Sequence, residues 1–467
     1  MTTSRRTVLT ALGLAAAALA GCSSNPSAVD YPPLVFVHGN GDSAALWQTT
    51  MWRFESNGWP RDRLYAINVP YPSARDDDTV AQAGRTSTAE HMAFLRSEVD
   101  AVLARTGAQQ VVLMGNSRGG YAIRNYIARG GGAAKVREVV LGGTPNHGVW
   151  AIPGYREGSE FSGTGPFLKA LNAPRNAAGD EIDGPARWLT VRSDGNDKFA
   201  QPDGLWIGRP GLPTFVTAAG PELRGATNVV IPKIDPRETS YSPAAFDAGW
   251  RFLTGAAALS TTVQAEAAPV LDGIVSGVGV AGNAAPGNVS NNLPVAGATV
   301  EIYATDPDTG ARCGGTAHRR TVGADGRWGP FTATPGTPYE FVVTAQGYAI
   351  THIYRSGFPR SSDIVHLRAE RIVDTERSAQ AVVSFTRPRG YFDLQRDTVT
   401  FDGSSTLPDV PPTSGAGVAA SKRLLADGAD RAIVGTFNGE KVVGRTWPLA
   451  GGHLAFLELT YRGSHGP

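Results

Sequence analysis

The chain has 467 residues, too long for one ordinary domain, so two or three are expected. A hydrophobic fraction of 41% is enough to build cores, and a formal net charge of +1 argues against a general electrostatic attraction to nucleic acid. The 57 glycines and 32 prolines require abundant turns, which suits a substantial β content.

Residues 1–24 read as a targeting segment. Ser4-Arg5-Arg6-Thr7-Val8-Leu9 resembles a twin-arginine export signal, and the small and apolar stretch from Val8 to Ala20 is too short for a membrane span. Leu19-Ala20-Gly21-Cys22 resembles a bacterial lipobox, which implies that Cys22 is acylated and becomes the mature N-terminus; simple signal cleavage nearby is the alternative. The expected setting is the bacterial cell envelope, with membrane attachment through that lipid. The other cysteine, Cys313, then has no intramolecular partner, and stability must rest on packed cores.

After a polar tether over 23–31, Pro33 to Gly39 reads as a buried strand, a short apolar run stopped by glycine. Ala44 to Asn57 has helical character, and Arg63 to Val69 is a second strand. From Ser87 to Thr106 the spacing of Met92, Leu95, Val99, Val102 and Leu103 fits one helix face. Gln110 to Met114 is a strand, Gly119 to Arg129 a helix and Val136 to Leu141 another strand. The irregular, Gly/Pro-rich region from Trp150 to Ala186 is a candidate cap over a cleft. Trp188 to Val191 and Asn228 to Ile231 complete the strand series, and Ala244 to Leu253 forms a closing helix. Strands alternating with helices predict a parallel sheet with crossovers over residues 31–255.

The pattern changes after an Ala/Thr/Ser-rich linker over 254–269. Short alternating strands follow, such as Ala298 to Tyr303 and Tyr339 to Val343, with turn signals at Asp325-Gly326 and Pro335-Gly336. These predict an all-β domain over 270–370 and a second over 372–467, with a loop over 406–417 in the latter. No fixed-period repeat is present. His352, His366 and His453 lie on strand-like segments and read as structural.

The chemistry concentrates around Gly115-Asn116-Ser117-Arg118-Gly119, a G-x-S-x-G pattern between an apolar strand and a helix. Small residues beside Ser117 allow the strained strand-to-helix turn that exposes a serine hydroxyl, and the amide of Arg118 at the helix start can stabilise an oxyanion. His38-Gly39-Asn40-Gly41 ends the first strand, and the Asn40 amide is the candidate second oxyanion donor. His38 reads as a loop-shaping residue. Gly143-Thr144-Pro145-Asn146-His147-Gly148 follows the next strand and lies on the same carboxyl edge; His147 either orders that loop or approaches Ser117 as a base. In Ser193-Asp194-Gly195-Asn196-Asp197, Asp197 is the preferred acid and Asp194 the fallback, with a plain turn carboxylate as the alternative.

Residues 31–255 resemble a bacterial lipase or esterase of the α/β-hydrolase superfamily. The resemblance is carried by His38-Gly39-Asn40, the Ser117 elbow, Gly143-Thr144-Pro145, the Asp197 turn and Leu223 to Val229. It implies a serine nucleophile, an acyl-enzyme and a catalytic histidine within several residues of the strand over 228–231. That segment reads Pro232-Lys233-Ile234-Asp235-Pro236-Arg237-Glu238-Thr239, where relatives of this group would read Asp-His-Arg-Glu-Thr. Pro236 therefore occupies the expected histidine position, and proline has no titratable group. No histidine occurs between His147 and His318. Residues 270–370 resemble a carboxypeptidase-regulatory-like or Ig-like sandwich, through Pro294 to Val300 and Asp325 to Gly329.

The expected function is a carboxylic ester hydrolase acting on ester or lipid substrates, impaired at Pro236, with Ser117, Asp197, Asn40 and Arg118 as its site and no cofactor or metal. The competing class is a catalytically dead hydrolase-fold protein that holds acyl or ester ligands at the cell surface. A protease is a weaker alternative, because the fold hosts many chemistries.

Overall fold

A computed structural model describes residues 31–182, 184–278, 291–428 and 430–460. The leader and Cys22 lie outside the described residues. Among the described residues, six strands form one sheet in the order β2-β1-β3-β4-β5-β6. They are β1 (Leu34–Val37), β2 (Leu64–Ala66), β3 (Val111–Asn116), β4 (Val136–Gly142), β5 (Arg187–Arg192) and β6 (Thr227–Val230). Every pairing is parallel. The helices between them are α1 (Gln48–Ser56), α2 (Thr88–Thr106), α3 (Arg118–Arg129) and α4 (Pro166–Leu171), and α5 (Glu238–Tyr241) and α6 (Pro243–Thr254) follow β6.

Local sequence explains these elements. β1 and β3 are buried along their whole length, as strands covered on both faces must be. α2 starts at a capping box, in which the Ser87 hydroxyl accepts from Glu90 N and the Glu90 carboxylate accepts from Ser87 N; it stops at Gly107, whose φ of 68° suits glycine. Leu95, Val99 and Val102 of α2 and Ile123, Tyr126 and Ile127 of α3 cover one sheet face. On the other face Phe54 gathers Phe36, Trp59, Phe246 and Trp250 within 6.0 Å between ring centroids. The central sheet flanked by helices is the α/β-hydrolase fold expected from the sequence.

Mixed and antiparallel sheets follow. The largest has the order β10-β9-β12-β13-β20-β15-β17. Its strands are β9 (Thr299–Ala304), β10 (His318–Thr321), β12 (Tyr339–Thr344), β13 (Ile350–Arg355), β15 (Ala381–Thr386), β17 (Ala420–Leu425) and β20 (His453–Glu458). Three smaller sheets pack with it. They pair β7 (Val270–Leu271) with β11 (Phe331–Thr332), β8 (Val275–Gly277) with β14 (Leu367–Ala369), and β16 (Val399–Phe401) with β18 (Ala432–Phe437) and β19 (Glu440–Arg445). The two β regions are joined rather than merely adjacent. β20 runs parallel to both β13 and β15, so strands from either side of Arg371 share one sheet.

The stretch over 254–269 is docked against the hydrolase unit. Arg53 Nε donates to Thr261 O at 2.6 Å, and Glu266 is paired with Arg61 at 2.6 Å and Arg360 at 3.0 Å. Trp52 of α1 is 1% exposed and packs in the core of the first β region, against Phe358, with its indole N–H donating to Ser361 O at 2.7 Å. Trp52→Ala removes a large side chain from that seam. It is expected to lower stability by ~3–5 kcal/mol, measured by denaturant unfolding of the whole chain.

Candidate active site

The chain runs from β1 to β2 on one side, then returns to place β3 on the other. Such a switch of direction opens a crevice at the carboxyl ends of the strands. Ser117 follows β3 there, and Gly39 follows β1. The Ser117 backbone has φ 49° and ψ −122°, a strained conformation for a side-chain-bearing residue, and it forms the turn from β3 into α3. The backbone of β1 requires glycine at 119, and the packing at 115 is tight. A Cβ on Gly119 would lie 2.4 Å from Val37 O, and one on Gly115 would lie 2.6 Å from Ile123 Cδ1.

The half-buried Ser117 opens into a cavity of about 250 Å³. Its walls include Gly39, Asn40, Val149, Trp150, Phe161, Phe199, Trp206, Ile207, Pro236, Arg237 and Tyr391. They are rich in aromatic and aliphatic groups, as expected for a site that takes an apolar chain. Among the described residues, neither the Asn40 amide nor the Arg118 amide donates to another protein group. Asn40 is fixed through its side chain, whose Oδ1 accepts from Ala74 N at 2.7 Å.

The Arg118 side chain is fully buried. It pairs bidentately with Glu160, Nε–Oε1 at 2.7 Å and Nη2–Oε2 at 2.8 Å, and also donates to Pro72 O and Thr86 O. One guanidinium thus ties the start of α3 to the loop over 70–86 and to the irregular segment after β4. This geometry suits arginine, whose planar fork matches a carboxylate.

Pro236 lines the Ser117 cavity. Its carbonyl accepts from Asn116 Nδ2 at 2.9 Å and Thr239 Oγ1 at 2.7 Å, while Asn116 also donates to Gly142 O at 3.0 Å. The residue before Ser117 therefore holds the loop that carries position 236. The same loop is gripped from the second β region. Asp235 accepts from Arg387 Nη1 at 3.0 Å and Tyr391 N at 2.8 Å, Arg387 also pairs with Glu238, and Arg396 pairs with Glu238 at 2.7 Å.

Asp197 is 2% exposed and accepts from Phe199 N at 2.9 Å. No histidine bonds to it among the described residues. Burial, together with nearby Asp235 and against the Phe199 hydrogen bond, pushes its carboxyl up to about 7. Asp194 instead bonds backbone amides, accepting from Lys233 N at 3.0 Å and Asn196 N at 3.3 Å.

The two nearby histidines are engaged elsewhere. His38 Nε2 accepts from Val69 N at 3.1 Å, so the proton sits on Nδ1 and is donated to Gly39 O at 2.9 Å; burial lowers its pKa, and it braces the loop. His147 uses Nδ1 toward Gly220 O at 2.8 Å and Nε2 toward Glu181 at 3.1 Å, and it does not line the Ser117 cavity. The Glu181 contact raises its pKa. Burial alone would raise the Glu181 carboxyl, but bonds from His147 and Arg224 outweigh it and hold that group at about 2.

Comparison with known proteins fits this arrangement. Residues 31–156 match the Lipase (class 2) family, and residues 274–372 match the Lipase C-terminal domain family. The parallel sheet and the turn at Ser117 are those of an α/β-hydrolase fold. A Rhodococcus erythropolis non-heme haloperoxidase is 27% identical over 117 residues, which cover 24% of this chain and only 37% of that protein. Among solved structures, the mature Bacillus licheniformis lipase BlEst2 aligns at 20% identity, covering 48% of this chain and 92% of that one, with a TM-score of 0.35. The Rhodococcus esterase RhEst1 aligns at 18% identity over 48% and 91%, with a TM-score of 0.28.

The site also contains residues that the sequence pattern does not mark as functional. Asn116, Glu160, Arg237, Arg387 and Tyr391 all contact the elbow, its cavity or the loop over 235–238. Asn116 lay inside the motif, as the variable residue before serine, and could have been singled out. Arg387 and Tyr391 are about 150 residues from the loop they grip, and no local pattern marks them.

The raised Asp197 carboxyl has a consequence for pH. Between an unfolded value of ~3.9 and a folded value of about 7, the native state binds the extra proton, so its contribution is fully present below the unfolded value and is lost as pH rises through the folded one. Asp197→Asn keeps the acceptor for Phe199 N and abolishes the titration. It is expected to melt higher than the parent at pH 8 and within a degree or two of it at pH 4, by differential scanning calorimetry.

Proposed function

We propose that this chain binds carboxylic esters in the Ser117 cavity, and that its ester hydrolysis is impaired because Pro236 stands where the general base would be. The observation that carries this reading is Ser117 on a strained elbow, facing a cavity whose wall includes Pro236 and several aromatic side chains. The Ser117 hydroxyl attacks the ester carbonyl, the amides of Asn40 and Arg118 stabilise the oxyanion, and the alcohol departs to leave an acyl-enzyme. Water then releases the acid. A histidine would take the serine proton and pass it to the leaving alcohol, with Asp197 orienting it. Without that histidine the proton goes to water, and turnover falls by roughly 10^4 to 10^6 while binding and the oxyanion donors remain.

A second reading, a non-catalytic ester-binding protein, is favoured by the state of His38 and His147. Each uses both ring nitrogens on other partners, which leaves neither positioned as a substitute base.

Turnover of p-nitrophenyl butyrate and p-nitrophenyl palmitate separates the two. Pro236→His is expected to raise kcat/KM over the parent on the order of 10^3-fold or more, and adding Ser117→Ala should abolish the gain. No gain from Pro236→His means that the base belongs elsewhere.

We further infer that residues 1–24 direct export and that Cys22 carries a lipid anchoring the chain to the envelope membrane. The support is the sequence pattern around Arg5-Arg6 and Leu19 to Cys22. In a bacterial host, the full chain is expected to partition into the Triton X-114 detergent phase, and Cys22→Ser should move it to the aqueous phase. Equal partitioning of both would remove the anchor.

A further inference from the structure

The wall of the Ser117 cavity is not built by the hydrolase unit alone. Tyr391 belongs to the second β region, yet its side chain lines the cavity beside Pro236 and Arg237. It is held from several sides. Its amide donates to Asp235 at 2.8 Å, and its carbonyl accepts from Arg387, the guanidinium that also pairs with Asp235 and Glu238. Its ring carries Lys198 Nζ at 4.2 Å and Arg237 Cζ at 5.1 Å from the centroid. Such contacts fix a ring in place.

The hydroxyl is different. Among the described residues it forms no hydrogen bond to the protein, although the ring is half-buried. Burial pushes the phenol up to about 12, so at neutral pH it is protonated and can donate. Phe199, Trp206 and Ile207 contribute apolar wall to the same cavity, and Asp42, Arg156 and Arg237 contribute charged groups. A rigidly held ring with an uncommitted donor, standing beside apolar side chains, is the arrangement that fixes the orientation of a ligand.

We propose that Tyr391 is a specificity-determining residue of the Ser117 cavity, its hydroxyl hydrogen-bonding an oxygen that the bound ester carries beyond its ester group. The preferred ligand class is then an ester with a hydroxylated alcohol portion, such as a monoacylglycerol, over a plain alkyl ester of similar size. This rests on the ester-binding reading above and does not require turnover.

The test uses the full chain with Ser117→Ala, so that nothing is consumed, and follows tryptophan emission, since Trp150 and Trp206 stand in the cavity wall. Glyceryl monobutyrate and butyl butyrate are the probes. Adding Tyr391→Phe, which keeps the ring, is expected to weaken glyceryl monobutyrate about tenfold and butyl butyrate less than twofold. Unchanged glyceryl monobutyrate affinity, or equal weakening of both probes, overturns the assignment. Binding of neither probe to Ser117→Ala overturns it together with the ester-binding reading. Selective weakening alongside a Pro236→His variant that gains no turnover leaves Tyr391 in its role and removes the hydrolase reading alone.

Discussion

The structure around the site depends on one buried guanidinium. Arg387 reaches out of the second β region and bridges Asp235 and Glu238, the two carboxylates that flank the Pro236-Arg237 turn. Those carboxylates also accept from amides of their own loop, Asp235 from Arg237 N and Glu238 N, and Glu238 from Asp235 N. The loop is therefore folded around its own acids, which need a cation to be buried. Arg387 and Arg396 supply it from another part of the chain. The β regions are in this sense not appendages. They neutralise the charge of the loop that faces Ser117.

That arrangement explains why position 236 can hold a proline without disturbing the fold. The loop uses the carbonyl of residue 236, which accepts from Asn116 and Thr239, and every amino acid provides a carbonyl. The amides it calls on are those of 235, 237 and 238, so the N–H that proline lacks is not missed. What a histidine would add is side-chain chemistry alone. Asp197, buried with no histidine bonded to it among the described residues, has its carboxyl pushed up to about 7 by that burial.

Legibility in the sequence followed the range of the interactions. The parallel sheet could be read because β1, β3, β4 and β5 are local apolar runs and α2 carries its own capping signals. The elbow could be read because close packing demands glycine at 119 and favours it at 115, and glycine is visible as a letter. The aromatic wall could not, since Trp206 and Tyr391 line one cavity from positions nearly two hundred residues apart, which no periodicity records. Likewise Trp52 looks like an ordinary helix residue, and only the packed structure places it in the core of a β region. The shared sheet was hidden for the same reason: parallel neighbours β13 and β20 are separated by about a hundred residues.

That last pairing bears on how the chain assembles. β20, near the end of the described chain, lies between β13 and β15 and bonds to both. Its neighbours cannot complete their ladders until it arrives, so each waits with an open edge during synthesis. The hydrolase sheet has no such dependence, because its last strand, β6, is made before any β region begins. The chain thus has an early-closing half and a late-closing half, with the entropy of a long loop opposing the second. Arg387 and Tyr391 lie just after β15, on the late side of that division. The loop facing Ser117 is therefore finished only when the second half closes, and completion of the cavity is tied to the last steps of folding.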